Sequence, residues 1–127
     1  MAPVEAAHEI STYPNCDALC ISNTIPYGQL PDRIPWEKLF GSALKEESPL
    51  AKYGGGLSGK LLLPLLLEWI RAARKRDITK PINAGGGILS LPDAISVFED
   101  LGSGNDSISL GSIAFLRPWR VKKSLMP

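Results

Sequence analysis

The sequence predicts an α/β fold in which short strands alternate with helices, an order that is typical of a parallel sheet. Two observations carry this prediction. Apolar runs of strand length are each followed by a helical pattern, and the last two of these runs end in a glycine step. The chain has 127 residues, about one small domain. A complete eight-stranded β/α barrel needs roughly 250 residues, so a complete barrel is excluded.

The composition excludes several classes of protein. Lys and Arg number 14 and Asp and Glu 13, so the net charge of +1 lacks the basic surplus of a nucleic-acid binder. The first ten residues contain Glu5, His8 and Glu9 and no apolar signal-peptide core. The most apolar stretch, 61–67, is too short to span a bilayer. We therefore expect a cytoplasmic protein with no membrane segment and no nucleic-acid partner.

The first part of the chain predicts one helix, one strand and a long connection. Residues 3–11 carry three apolar side chains at helical spacing after a proline suited to a first turn. Residues 17–22 predict a short buried strand. Residues 26–53 are rich in proline and glycine and predict an irregular connection, with one helical turn at 36–40. A connection of this length is typical of a functional loop or lid.

A glycine-rich turn at 54–59 leads into a predicted helix over 61–76. This helix ends in Arg74, Lys75 and Arg76. Basic side chains suit the negative pole of the helix dipole, so we interpret them as a solvated helix end.

The last third of the chain repeats a strand and a helix twice. Residues 80–84 predict a strand, and Ser90 is a candidate N-cap for a helix over 92–101. A second strand at 107–110 leads into a helical segment at 113–116. Both predicted strands run directly into glycine, which makes their ends the most informative positions of the sequence.

The glycine steps after these strands predict an anion site. Gly86-Gly87 follows the first strand and Gly111-Ser112 the second, 25 residues later, which is one β/α unit. Glycine lets backbone N–H groups approach an anion, and a helix N-terminus adds partial positive charge. In β/α barrels the loops after the last two strands form the usual phosphate site. The alternative is that these glycines only make tight turns at helix starts.

Other ligand signals are weaker. Gly54 and Gly59-Lys60 have the spacing of a P-loop, but Leu61 stands where the magnesium-binding hydroxyl belongs. Lys60 is either an anion ligand or a surface lysine at a helix start. No cluster of histidine, cysteine and carboxylate has metal-ligand spacing, so no metal is predicted.

Four motifs occur in a fixed order: CISNT at 20–24, GGLSGK at 55–60, NAGGGI at 83–88 and LGS at 110–112. Together they resemble the C-terminal part of the dihydroorotate dehydrogenase family, FMN-dependent (β/α)₈ barrels of pyrimidine biosynthesis. The resemblance runs from about residue 4 to about residue 121. It implies that residues 1–127 form a partial TIM barrel, its C-terminal half, with roughly strands six to eight and their helices.

The resemblance implies substrate and flavin contacts at two places. Asn23 and Thr24 match the residues that contact the pyrimidine substrate at the end of strand six. Ser58 and Gly59 match the loop that lies against FMN. An asparagine side chain suits the amide edge of a pyrimidine because it offers both donors and an acceptor.

The resemblance also assigns the phosphate. Gly86 and Gly87 match the pair whose amides bind the FMN phosphate, and Gly111 and Ser112 match the turn that completes the site. The stretch 102–106 is longer than the family's turn before strand eight, so a shifted last strand that misplaces Gly111 and Ser112 is a possible outcome.

The implied activity is that of a flavoprotein oxidoreductase that converts dihydroorotate to orotate. The family's catalytic base, a serine or cysteine on an earlier loop, matches no residue of this chain, so no catalytic residue is predicted. The chain alone is expected to be inactive and to need the missing N-terminal half. Its exposed sheet edges also favour self-association. The alternative is a non-catalytic phosphate-binding or structural half-barrel from a truncated gene.

Overall fold

The computed structural model describes residues 3–21, 24–41 and 49–122. The helices are α1 (Val4–Ser11), α2 (Trp36–Phe40), α3 (Pro49–Lys52), α4 (Leu62–Lys75), α5 (Leu91–Leu101) and α6 (Ser112–Leu116), followed by a 3-10 helix (Pro118–Arg120). The strands are β1 (Leu19–Ile21), β2 (Ile25–Pro26), β3 (Gly56–Leu57), β4 (Ile82–Gly85) and β5 (Ser107–Ser109).

The main sheet has three parallel strands, with β4 between β1 and β5. Cys20 pairs with Asn83, and Asn83 pairs with Ser107, so these three side chains share one face of the sheet. The opposite face is apolar, with Ile82 and Ala84 fully buried. The predicted α/β class and the parallel sheet are confirmed.

Helices α1, α4 and α5 cover the apolar face and form the main core. Ile70 of α4 and Val97 of α5 are completely buried, and Ala7 joins them from α1. The predicted cap of α5 is confirmed, because Ser90 Oγ accepts a hydrogen bond of 3.4 Å from the Asp93 N–H. These three predicted helices agree with the structure to within one residue at each end.

The connection predicted to be irregular contains ordered structure. Its predicted helical turn is confirmed as α2, but α3 and the two-residue strands β2 and β3 were not predicted. β2 pairs antiparallel with β3, Ile25 opposite Leu57. We call the described part of this segment, residues 25–41 and 49–57, the 25–57 unit.

The 25–57 unit has a small core of its own. Trp36 lies at its centre, with the Tyr27 ring centroid 5.0 Å and the Phe40 ring centroid 5.9 Å from its own. The Trp36 indole N–H donates to the carbonyl oxygen of Gln29 at 2.8 Å. Leu62 belongs to this core as well, so the unit packs on the first turn of α4.

The sequence predicted that Arg74, Lys75 and Arg76 form a solvated helix end, and this is wrong for Arg74, whose side chain is mostly buried. Its guanidinium donates to the carbonyl oxygens of Ile78 and Leu101 and to both carboxylate oxygens of Asp106, at 2.6 to 2.8 Å. The Asp106 side chain is fully buried and also accepts the Ile82 N–H at 2.7 Å. The network joins α4, α5, β4 and the turn before β5, whereas the next two basic residues are exposed.

Within the described ranges, no helix is long and apolar enough to cross a membrane.

Candidate functional site

The turn after β4 brings the backbone unusually close to the start of α4. Gly86 has a φ of +131° and Gly87 a φ of +74°, conformations that favour glycine. A Cβ added to Gly87 would overlap the backbone nitrogen of Leu63 and lie 2.9 Å from the carbonyl oxygen of Gly59. Only glycine therefore allows this approach between the turn and the helix.

A cavity of about 410 Å³ opens at the carboxyl ends of the three parallel strands. Its volume falls in the range of about 300 to 1,000 Å³ that is usual for small-molecule sites. Its walls consist mainly of the glycine turns, hydroxyl side chains and the first turn of α4. The lining residues are Thr24, Ser58, Gly59, Leu62, Gly85, Gly86, Gly87, Ile88, Ser109, Leu110, Gly111 and Ser112.

The structure brings together seven of the eight site residues named from the sequence. Thr24, Ser58 and Gly59, the pair Gly86-Gly87 and the pair Gly111-Ser112 all line this one cavity. The eighth, Asn23, lies outside the described residues.

The 25–57 unit positions the Thr24 and Ser58 side of the cavity. The pairing of Ile25 with Leu57 places the preceding Thr24 and the following Ser58 side by side. A Cβ on Gly56 would overlap the Thr24 side chain, so Gly56 allows this contact. Sequence reasoning missed Gly56 as a positioning residue, although the run of glycines at 54–56 was a signal for it.

The long turn before β5 does not displace the second glycine step. Ala84 pairs with Ile108 and Gly85 with Ser109, so β5 stays in parallel register with β4. The buried Asp106 carboxylate holds the start of β5 through its hydrogen bond with the Ile82 N–H. Gly111 therefore reaches the cavity from the end of β5.

Lys60 forms an ion pair with a carboxylate and is not among the residues that line the cavity. Its Nζ lies 2.6 Å from Oδ1 of Asp93, whose Oδ2 accepts the Leu89 N–H at 3.0 Å. Burial of the carboxylate acts to raise its pKa, but the hydrogen bonds from Lys60 and Leu89 outweigh burial and lower the pKa of Asp93. Lys60 thus holds the N-terminus of α5 against the start of α4.

The chemistry of the cavity wall is that of an anion site made of backbone and hydroxyl groups. Among the described lining residues none carries an ionisable side chain. The N–H groups of Gly87 and Ile88 donate no hydrogen bond to any described residue. They and the hydroxyls of Ser58 and Ser112 can bind a small anion. The described parts of the chain hold no group of three or more potential metal ligands.

A polar network on the sheet face that carries Cys20, Asn83 and Ser107 continues into the cavity. Asn83 lies at its centre and donates from Nδ2 to Ser107 Oγ at 2.8 Å. Its Oδ1 accepts from Ser109 Oγ at 2.5 Å and from Cys20 Sγ at 3.6 Å. Ser109 also lines the cavity. Sequence reasoning missed this network, because its members come from three separate strands.

Comparison with protein-family models and with curated proteins finds no match to this chain.

Proposed function

We propose that this chain supplies the phosphate-binding end of an FMN site to a dihydroorotate dehydrogenase-like β/α barrel. In this proposal β1, β4 and β5 are strands six, seven and eight of the barrel, which oxidises dihydroorotate to orotate in pyrimidine biosynthesis. One observation carries the proposal: two consecutive parallel βα turns, each with a glycine step, converge on one cavity. The loops after the last two strands are where β/α barrels bind phosphate.

The cavity wall fits a phosphate group. Gly86 and Gly87 line the cavity without contributing side chains to its wall. We infer that backbone N–H groups of this turn bind phosphate oxygens. Gly111 and Ser112 add a hydroxyl and the first turn of α6. Ser58 extends the polar wall toward Thr24, where the resemblance locates the pyrimidine.

The oxidation removes two hydrogens from dihydroorotate, one as a hydride and one as a proton. Bound FMN supplies the hydride acceptor at its N5 atom. This chain would hold the phosphate through its glycine turns and orient the pyrimidine through Asn23 and Thr24. The proton needs a base from the N-terminal half of the barrel, so activity requires that half. The two free cysteines favour a reducing compartment, and we propose the cytoplasm.

Ligand titration tests the phosphate assignment. We expect FMN to bind more tightly than riboflavin, which lacks the phosphate, and inorganic phosphate to compete with FMN. Gly111→Leu adds a side chain at the cavity wall, and its Cβ has open space, so the fold should be retained. We expect FMN affinity to fall about tenfold or more, which corresponds to about 1.4 kcal/mol.

Gly104→Leu is the matched control, because Gly104 also has open space around it and lies in the turn before β5. It should leave FMN affinity unchanged. Equal binding of FMN and riboflavin, or unchanged affinity in Gly111→Leu, would contradict the proposal.

The second candidate is a phosphate-binding module without catalysis. It is favoured by the lack of ionisable side chains among the described lining residues. Mixing the chain with the N-terminal half of a dihydroorotate dehydrogenase separates the two functions. Loss of FMN absorbance on addition of dihydroorotate, seen only in the mixture, supports the enzyme. Phosphate binding with no preference for FMN supports the binding module.

A further inference from the structure

The net charge of the chain is close to zero, but its first and last segments carry opposite charges. No Lys or Arg precedes Arg33, whereas four acidic residues do. No Asp or Glu follows Asp106, whereas four basic residues do. The first segment contains the edge strand β1, and the last contains the edge strand β5. The two edge strands therefore belong to chain segments of opposite net charge.

The basic end carries large apolar side chains that are exposed. Phe115 is 90%, Leu116 62% and Trp119 70% exposed, and Arg117 and Arg120 lie between and beside them on the surface. We call these five residues the basic face. Contiguous apolar patches on a protein surface are a feature of interaction sites.

The acidic end presents a complementary surface. Ile10 is 53% and Tyr13 58% exposed at the end of α1, next to the exposed Glu9. We call these three residues the acidic face. Glu5 lies one turn before Glu9 and forms an ion pair with Arg76 at 2.7 Å. Because Glu5 is paired within the chain, the negative charge of the acidic face comes from Glu9, beside the two apolar side chains.

The sheet provides the geometry that joins the two faces. Within the described ranges, neither β1 nor β5 has a strand on its outer side. Both run parallel to β4, so β5 of one copy can run parallel to β1 of another. α6 follows β5 directly, as a helix does in a parallel β/α crossover. It would lie beside α1 of the second copy.

We propose that the basic face of one copy of this chain docks on the acidic face of a second copy, in a head-to-tail contact that continues the parallel sheet. The contact is heterologous, because two different surfaces of the same chain meet in it. It does not depend on FMN, since the cavity lies at the carboxyl ends of the strands and not at the sheet edges. Association of copies would compete with an N-terminal half for the same edges.

Sedimentation velocity of the full chain over two decades of concentration tests the contact. We expect association that increases with concentration and weakens at high salt, because exposed charges are screened. The variant Phe115→Ser/Trp119→Ser disrupts the basic face, and Ile10→Ser/Tyr13→Ser disrupts the acidic face. Each should weaken association at least tenfold and retain the helical circular dichroism of the wild type.

Tyr53→Ser is the matched control, since Tyr53 is an aromatic residue 78% exposed outside both faces. It should associate as the wild type does.

Mixing the two disrupted variants gives the sharpest result. One retains an intact acidic face and the other an intact basic face, so together they have one complete head-to-tail contact. We expect a one-to-one complex in the mixture, although each variant alone is monomeric. A contact between two identical faces would give no such complex and would overturn the proposal. A wild type that stays monomeric at every concentration, as when an N-terminal half is the natural occupant, would also overturn it.

Discussion

Gly87 links the fold to the site at the scale of one residue. Its positive φ and its contact with the backbone of Leu63 let the β4 turn close one side of the cavity. Gly87→Ala should lower the free energy of unfolding by about 1–3 kcal/mol, because the backbone must leave its native conformation or strain it. Urea denaturation measures this loss. Gly104→Ala, at an open position, should change stability by less than about 0.5 kcal/mol. Equal stability of the two variants would contradict this account of Gly87.

The Arg74 guanidinium connects α4 to the carbonyl oxygens of Ile78 and Leu101 and to the Asp106 carboxylate. Arg74→Met leaves the fully buried Asp106 carboxylate without its cation, and we expect a loss of about 3–5 kcal/mol. Lys75→Met, at an exposed neighbouring site, should cost less than about 0.5 kcal/mol. Urea denaturation again measures both variants.

The double variant Arg74→Met/Asp106→Leu tests the reason for that loss. If the unpaired carboxylate causes it, removing both partners should cost less than removing Arg74 alone. A larger cost in the double variant would assign the effect to lost packing of the arginine stem instead.

Sequence reasoning identified the residues of the cavity but misread these polar contacts. Gly86 and Gly87 were recognisable because their positive φ values, and the close backbone approach at Gly87, require that residue type. Nothing local distinguishes Arg74 from Lys75, because Arg74 is selected by Asp106, 32 residues further along the chain. The sequence likewise left open whether Lys60 binds an anion or lies on the surface, because its partner Asp93 is 33 residues away in the chain. In the structure Lys60 Nζ lies 2.6 Å from Asp93 Oδ1.

At the scale of elements, the Lys60–Asp93 pair joins the start of α4 to the start of α5. The folded state holds the pKa of Asp93 below its usual value, so folding favours the ionised carboxylate. This contribution is fully present above the unfolded pKa of about 3.9 and is lost as the pH falls through the lower folded value. We expect stability to decline below about pH 4.

Asp93→Asn should be less stable at neutral pH and should show a smaller decline in acid than the wild type. Thermal unfolding at a series of pH values measures both effects. Asp32→Asn is the control for the loss of one carboxylate at an exposed position, and it should change stability at neutral pH by less than about 0.5 kcal/mol. A parallel decline in Asp93→Asn and the wild type would show that other carboxylates cause the acid sensitivity.

We expect that a substitution in the small core of the 25–57 unit destabilises this unit without destabilising the main core. Trp36→Ala removes the centre of its aromatic core, and such truncations cost about 3–5 kcal/mol in a core. Because the main core packs on different side chains of α4, we expect hydrogen exchange to increase in residues 25–41 and not in β4 or α5. Trp119→Ala, at an exposed position, should leave exchange in both regions unchanged. Equal acceleration throughout the chain would contradict a separate unit.

Elements whose apolar residues recur at a regular spacing were predictable from the sequence, and elements without such a spacing were not. α1, α4 and α5 repeat apolar residues at helical spacing, and Ser90 marks a start. β2 and β3 have two residues each, too few for any alternation to be read. They are specified by the packing of Ile25 and Trp36 around Leu62. Apart from the helical turn at 36–40, the 25–57 unit was therefore visible in the sequence only as a stretch of prolines and glycines.

In the whole molecule, helices cover one face of the main sheet and leave the other face accessible to solvent. The apolar sheet face is covered by α1, α4 and α5. The opposite face carries Cys20 and Ser107, which are exposed, and Asn83, which is half-buried. Interiors of complete β/α barrels are filled mainly by bulky branched residues. A polar face whose side chains hydrogen-bond across the strands is compatible with contact with water.

Coupling between association and folding gives the last prediction, at the scale of the whole molecule. If the folded chain binds a second copy, its unfolding temperature should rise with protein concentration, because binding removes molecules from the folding equilibrium. Well above the dissociation constant, each tenfold increase adds about 1.4 kcal/mol. Phe115→Ser/Trp119→Ser should abolish the rise without lowering the unfolding temperature of the dilute protein, since both rings are exposed. Tyr53→Ser should retain it. A wild-type unfolding temperature independent of concentration would contradict association between copies.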